Sequence, residues 1–266
     1  MPTSRQVVVT VASGPHAGKL DQTFTSFAQN RFLEAHAFII GDRLPERRLP
    51  GITYHLEPED PAFAHPMRDL YYRRFLFLDQ LDADYALLVD NSDVLCLQTL
   101  PELPVLLRGA GLGACVEHAG SRYLEGLPYT SNYFNAGVTL WNIAASRQIR
   151  RAIVARGRAR FRSIEDQLTL NEVVHAGYRD QLIILPCQYN FRAYLAPAGA
   201  PGWPTVTNLD GVRIYHNSTC VEAAKKLVPV KPEATLPDLK PDALPPTPRQ
   251  QFWRKVALRM RPHRVR

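Results

Sequence analysis

Short apolar runs alternate along the chain with segments of helical periodicity. The first run, at 5–12 (RQVVVTVA), is rich in β-branched residues and predicts a buried strand. Residues 21–31 and 67–81 instead repeat their apolar side chains at helical spacing. Further strands are predicted at 37–42, 52–56, 85–89, 113–116, 133–142, 182–185 and 212–216, and further helices at 145–161 and 165–177. This alternation predicts an α/β fold with a mainly parallel sheet flanked by helices.

The central run at 85–89 (YALLV) ends abruptly in a polar cluster that contains Asp90, Asn91 and Asp93. In open α/β sheets, ligands collect at the carboxyl ends of the strands. Two carboxylates placed there repel each other unless a cation or hydrogen-bond donors compensate them. Oxygen ligands suit Mg²⁺ and Mn²⁺. An ordinary Asp-rich turn is the alternative, since Asn91 is also a good turn former.

Charge and composition change this picture only in part. The 266 residues carry a formal net charge of +7, which is compatible with an anionic partner. The four cysteines are scattered without a CxxC pair, which argues against a zinc site or a disulfide framework. No nucleic-acid recognition motif is present. Because signal-peptide features and a membrane-spanning apolar run are also lacking, we expect a cytoplasmic protein.

The chain is expected to divide into a globular domain at 1–228, a proline-rich linker at 229–248 and a basic tail at 249–266. The tail combines Phe252 and Trp253 with several Arg and Lys residues. It could therefore bind anionic lipid headgroups at the inner face of a membrane. A solvated terminal helix or a disordered tail is the alternative, and the sequence does not decide between them.

Several segments, in their order along 5–220, resemble one family. LLVDNSDVL, YFNAGVTLWN, EDQLTLN, LPCQYNF and IYHNS are similar to motifs of GT-A glycosyltransferases, specifically the retaining glycogenin-like and lipopolysaccharide galactosyltransferase-like enzymes. The family's acidic motif is D-x-D. Here Asp93 matches its second carboxylate, the first falls on Asn91, and Asp90 lies one place earlier, which makes a D-x-x-D variant.

The resemblance implies a GT-A fold and a metal site. Its metal ligands would be Asp90, Asp93 and His216, a donor set that suits Mn²⁺ or Mg²⁺. For His216, the alternative is a strand-end histidine bonded to a backbone carbonyl. Contacts to a nucleotide-sugar donor, expected to be UDP-linked, are implied for Thr10, Ala12, Arg74, Asn91, Asn135, Gly137 and Asn190.

Several of these donor residues also have a structural alternative. Arg74 could instead form a salt bridge to Asp90, and Gly137 could mark a β-bulge, while Thr10 and Ala12 could simply be core. The resemblance further implies that Asp166 and Gln167, which open a helix, lie beside the sugar and the acceptor as catalytic residues. An aspartate at that position is also favoured by helix capping and the helix dipole.

The implied function is hexosyl transfer to a glycan, lipid-linked or small-molecule acceptor, with retention at the anomeric carbon. An inverting enzyme would need a carboxylate base, for which Asp166 and Glu165 are the candidates. One rival function is a sugar-phosphate nucleotidyltransferase, of which the loop at 13–19 (SGPHAGK) is a faint echo. That loop is one residue too short for a P-loop. A second rival is a GT-A domain that binds sugar nucleotides without turnover, motivated by Asn91 in the acidic motif.

Overall fold

The computed structural model describes residues 4–13, 20–63, 66–91, 93–117, 133–159, 166–191 and 211–216. In chain order its elements are β1 (Gln6–Ser13), α1 (Asp21–Phe27), β2 (Leu33–Ile40), β3 (Ile52–Glu57), α2 (Pro66–Phe77), β4 (Tyr85–Val89), β5 (Val94–Cys96), α3 (Leu103–Leu107), β6 (Leu112–Val116), β7 (Phe134–Asn142), α4 (Arg147–Ala159), α5 (Asp166–Gly177), β8 (Leu182–Leu185) and β9 (Ile214–His216). The loop at 14–19, the linker at 229–248 and the tail at 249–266 lie outside the described residues.

Seven strands form one sheet in the order β3-β2-β1-β4-β7-β6-β8. Neighbours pair in parallel except at β7, which runs antiparallel to both β4 and β6. The strands β5 and β9 form a separate antiparallel pair. The predicted α/β fold with a mainly parallel sheet is confirmed. The sequence pattern missed β5 and α3, which are too short for a periodic signal, and it could not give the direction of β7.

The sheet is buried on both faces, which explains its continuous apolar runs. In β1, Val7 and Val9 join the cluster that contains the helices α2, α4 and α5. Val8 and Ala12 point the other way, into the cluster that contains α1 and α3. Alternate residues of one strand therefore support opposite halves of the core.

Three helices on one face are tied together through Tyr72 of α2. Its ring lies against Gly157 of α4, where even a Cβ atom would collide with it. Its hydroxyl lies 2.9 Å from the hydroxyl of Thr169 on α5. This packing sets the position of α2, which carries Arg74, relative to α5, which begins at Asp166. Among the helices of the described ranges, none has the length and apolarity that crossing a bilayer requires.

Candidate functional site

Four elements converge at the carboxyl end of β4. Because β7 is antiparallel to β4, its first residues lie beside the last residues of β4, and the Asp90 amide donates to the Gly137 carbonyl at 2.8 Å. The pairing of β5 with β9 places Val94 opposite His216. The chain topology therefore brings residues more than 120 positions apart to one edge of the sheet.

Asp90, Asp93 and His216 form a cluster of possible cation ligands there. His216 Nε2 lies 3.6 Å from Asp90 Oδ2 and 3.7 Å from Asp93 Oδ2. One ligand atom from each residue lies within 4.8 Å of the other two. Two carboxylates and one imidazole make a donor set that Mn²⁺ accepts, and a small adjustment would bring all three atoms to bonding distance. The residues therefore fit a divalent cation.

The backbone between the two aspartates of the acidic motif forms a tight connection. Asp90 and Asp93 both belong to the cluster, and the backbone carbonyl of Asn91 accepts the Asp93 amide at 2.9 Å. That bond closes a tight turn between the two aspartates. The D-x-x-D spacing thus brings both carboxylates to His216.

Gly137 provides the space that this cluster needs. A Cβ atom at this position would overlap both the imidazole of His216 and the carboxylate of Asp90. Gly137 was expected from the resemblance to contact the donor. In the structure, the missing side chain already accommodates two of the three candidate ligands.

Arg74 lies buried behind the cluster and pairs with two carboxylates. Its Nη1 donates to Asp90 Oδ1 at 2.6 Å, and its Nη2 lies 2.6 Å from Asp166 Oδ2 and donates to the Ala136 carbonyl at 2.7 Å. The structure therefore contains the salt bridge to Asp90 that was the alternative to a donor contact. Burial disfavours the guanidinium charge, but Asp166 and Asp90 outweigh it and raise the pKa of Arg74.

Asp166 is the first residue of α5 and is almost fully buried. Burial raises the pKa of its carboxyl group to about 6, although the nearby Arg74 acts in the opposite direction. Asp166 is therefore ionised at neutral pH and can pair with Arg74. The Arg74 guanidinium, which pairs with both Asp166 and Asp90, therefore connects the start of α5 to the cation cluster.

Asn135 and Gln167 meet at a carboxylate that the sequence analysis missed, Glu117. Asn135 donates to Glu117 Oε2 at 2.9 Å and to Gln167 Oε1 at 2.9 Å. Gln167 in turn donates to Glu117 at 3.2 Å and accepts the Ala136 amide at 3.1 Å. Glu117 directly follows β6, so it carried the same signal as Asp90, a carboxylate at the carboxyl end of an apolar run.

Asn190 joins these amides to the cluster. Its Oδ1 lies 2.8 Å from His216 Nδ1, and its Nδ2 donates to Asn135 Oδ1 at 2.8 Å. A continuous hydrogen-bonded chain thus runs from a candidate cation ligand to the Gln167 and Glu117 pair. Of these hydrogen-bonded residues, Glu117, Asn135, Asn190 and His216 are buried, and Gln167 is half-buried.

Thr10 and Ala12 have side chains in the core rather than in the cluster. Both are fully buried, and the Thr10 hydroxyl donates to the Val89 carbonyl at 3.0 Å. That bond steadies the last residue of β4 immediately before Asp90. A backbone contact between this end of β1 and a nucleotide stays a prediction.

No protein-family model and no curated protein sequence matches this chain. Solved structures do. The galactosyltransferase LgtC in complex with donor and acceptor sugar analogs is 18% identical, with a TM-score of 0.59 over 89% of this chain and 99% of that one. An active-site mutant of LgtC is 20% identical, with a TM-score of 0.56 over 79% of this chain and 86% of that one.

The apo structure of the bifunctional glycosyltransferase WbbM is also similar. It is 13% identical, with a TM-score of 0.56, over 81% of this chain and 46% of that chain. At sequence identities this low, these structural similarities establish a shared fold. Together with the sheet order and the acidic cluster at the end of β4, they show that this chain has the GT-A fold of glycosyltransferases.

Proposed function

We propose that this protein transfers a sugar from a UDP-linked donor to an acceptor hydroxyl group, with a Mn²⁺ or Mg²⁺ ion held by Asp90, Asp93 and His216. The observation that carries the proposal is the convergence of these three side chains at the carboxyl end of β4 in a GT-A fold. The similar LgtC structure contains donor and acceptor sugar analogs, which supports a related pair of substrates here.

When bound, the cation would act as a Lewis acid that neutralises charge on the leaving diphosphate. The protein's own residues supply the rest. Arg74 fixes one oxygen of Asp90 and leaves the other directed at His216. The buried carboxylates Asp166 and Glu117 place negative potential close by, which would stabilise positive charge developing at the anomeric carbon.

Gln167 would orient the sugar or the acceptor, as the resemblance implies. Its side-chain carbonyl is held by Asn135 and by the Ala136 amide, so the side chain is fixed before substrate arrives. Such preorganisation reduces the entropy that must be lost on reaching a reactive geometry. We expect Gln167→Ala to lower turnover more than donor affinity.

We further propose retention at the anomeric carbon, with transfer assisted by the leaving phosphate, to a glycan, lipid-linked or small-molecule acceptor. Determining the product anomer by NMR tests this, and an inverted product would overturn it. The tail at 249–266 would bring the enzyme to a lipid surface. If deleting the tail leaves co-sedimentation with anionic liposomes unchanged, the membrane contact is wrong.

The first experiment is a thermal-shift panel with UDP, GDP, CDP and ADP, each in Mn²⁺ or in EDTA. Ligand at 100 times its Kd should raise the melting temperature by about 5–10 °C. We expect UDP with Mn²⁺ to give this rise and EDTA to abolish it. Asp93→Ala should lose the response. Asp82→Ala should keep it, because Asp82 is exposed near the opposite, amino end of β4.

A response without sugar transfer would indicate the non-catalytic alternative, a domain that binds sugar nucleotides. Release of pyrophosphate instead of UDP would indicate a nucleotidyltransferase. If no nucleotide raises the melting temperature, with or without Mn²⁺, the proposed donor site is wrong.

A further inference from the structure

The side-chain amides beside the cation cluster are hydrogen-bonded in series. One backbone N–H group is enough to decide which of their atoms are nitrogen and which are oxygen. The Gly137 amide lies 2.9 Å from one side-chain atom of Asn135. A backbone N–H only donates, so that atom must be the Asn135 oxygen. The NH₂ group of Asn135 is then the one that faces Glu117, which as a carboxylate only accepts.

The Asn135 oxygen in turn defines the orientation of the Asn190 amide. The Asn135 oxygen also lies 2.8 Å from the Asn190 side chain, so Asn190 must present its NH₂ group on that side. Its oxygen therefore faces His216 Nδ1 at 2.8 Å. Since that oxygen can only accept, the hydrogen must reside on Nδ1. In the neutral ring, Nε2 then presents a lone pair to Asp90 and Asp93.

We propose that Asn190 is a positioning residue, which holds His216 as the Nδ1–H tautomer with Nε2 directed at a divalent cation. This deepens the proposed function and rests on it only for the cation. Asn190 is 4% exposed, and both ends of its amide are engaged by protein groups. It thus acts through His216 rather than by contacting the sugar, the role that the sequence analysis assigned to it.

The arrangement explains why the amide is needed. Two carboxylates surround Nε2 at 3.6 and 3.7 Å, and they would favour a hydrogen on that nitrogen in the metal-free protein. A hydrogen on Nε2 would block coordination. By accepting the hydrogen bond from Nδ1, Asn190 favours the tautomer that can bind a metal, as partners behind a ligating histidine commonly do.

The tautomer can be measured directly in the metal-free protein by ¹⁵N NMR of labelled histidine, at a pH where the ring is neutral. The His216 signals are assigned by their loss in His216→Ala. We expect the Nδ1–H form in the wild type and a shift toward the Nε2–H form in Asn190→Leu. An Nε2–H form in the wild type, or the same His216 tautomer in the variant as in the wild type, would overturn the proposal.

A second readout is Mn²⁺ affinity by isothermal titration calorimetry. Asn190→Leu should weaken binding about 10–100-fold. In a His216→Ala background the same substitution should have no further effect, because its influence passes through the ring. Equal losses in both backgrounds would mean that Asn190 acts independently of His216, which contradicts the proposal.

Asn30→Leu is the matched control. Asn30 is an equally buried amide that accepts the Leu100 amide at 2.6 Å, outside the hydrogen-bonded chain that ends at His216. The Asn30→Leu substitution should lower the melting temperature and leave Mn²⁺ affinity unchanged.

If the tautomer and affinity results hold but no sugar is transferred, the proposed function fails and the role of Asn190 stands. If the wild type binds no Mn²⁺, the proposed role of Asn190 in cation binding is wrong. The NMR measurement then tests only whether Asn190 sets the tautomer of His216.

Discussion

Two buried arginines on neighbouring helices show how the same side chain can serve different purposes in this fold. Arg150 of α4 is fully buried and binds one carboxylate, Asp79, at 2.7 Å. It also donates to the Phe75 and Ile143 carbonyls at 3.0 and 2.6 Å and to the Ser146 hydroxyl at 3.1 Å. Arg74 of α2 is nearly as buried but lies between two carboxylates that border the candidate site.

The difference appears in their pKa values. Burial lowers the pKa of Arg150, and the single carboxylate of Asp79 does not offset it. For Arg74, two carboxylates outweigh burial and raise the pKa. Arg150 satisfies backbone carbonyls near the end of α2 and the loop after β7, so its role is in folding. Arg74 holds Asp90 and Asp166, the carboxylates that face the cation and the sugar in the proposed function.

The largest expected effect is on stability, from Arg150→Met. The change removes the hydrogen bonds to two carbonyls, to the Ser146 hydroxyl and to Asp79, and breaking a buried pair costs about 3–5 kcal/mol. Urea unfolding measures the loss, and the activity of the molecules that remain folded should be normal. Arg147→Met is the control, since Arg147 approaches the same Asp79 at 3.6 Å but is 55% exposed. It should cost less than about 1 kcal/mol. Similar losses for the two variants would contradict this.

The next effect is on catalysis, from Arg74→Met. Asp90 and Asp166 would lose the charge that holds them, and such misplacement of reacting groups costs about 100-fold in rate. Release of UDP from the donor, per folded molecule, measures it. Arg73→Met is the control on the same helix, because Arg73 pairs with Glu57 and Asp69 away from the cluster. It should change the rate only a few-fold. If the two variants were equally active, Arg74 would be a structural arginine like Arg150.

The smallest effect is a pH dependence of stability that comes from Asp166, a partner of Arg74. Asp166 has a folded-state pKa of about 6, above its ordinary value of 3.8, so the folded state binds the proton more tightly than the unfolded chain. Its contribution to stability is therefore greatest at low pH and decreases as pH rises from about 4 to about 6. Asp166→Asn should flatten this part of the pH profile, because the variant lacks the group whose proton affinity changes on folding. Urea unfolding in EDTA at several pH values tests it. Parallel profiles for wild type and variant would contradict the prediction.

The residues of the candidate site differ in how well the sequence revealed them. Asp90 and His216 end apolar runs, and Asp93 lies three residues beyond Asp90. The family resemblance implied that the three form one metal site, and the three side chains lie together in the structure. Glu117 has the same signal but lies in none of the motifs that resemble the family, and it was missed. For Arg74, helical periodicity placed the residue but could not say whether its partner was a phosphate or a carboxylate. That choice depends on which groups the fold brings within 3 Å.

The sequence by itself determined the α/β class, the order of most elements and the end of β4 as the polar edge, because these depend on local periodicity and on where apolar runs stop. Only the tertiary structure decided the direction of β7, the pairing of β5 with β9 and the amide chain from Gly137 to His216. Those features join residues distant in sequence. Their energy comes from hydrogen bonds and contacts between elements, which a linear pattern of polar and apolar residues does not record.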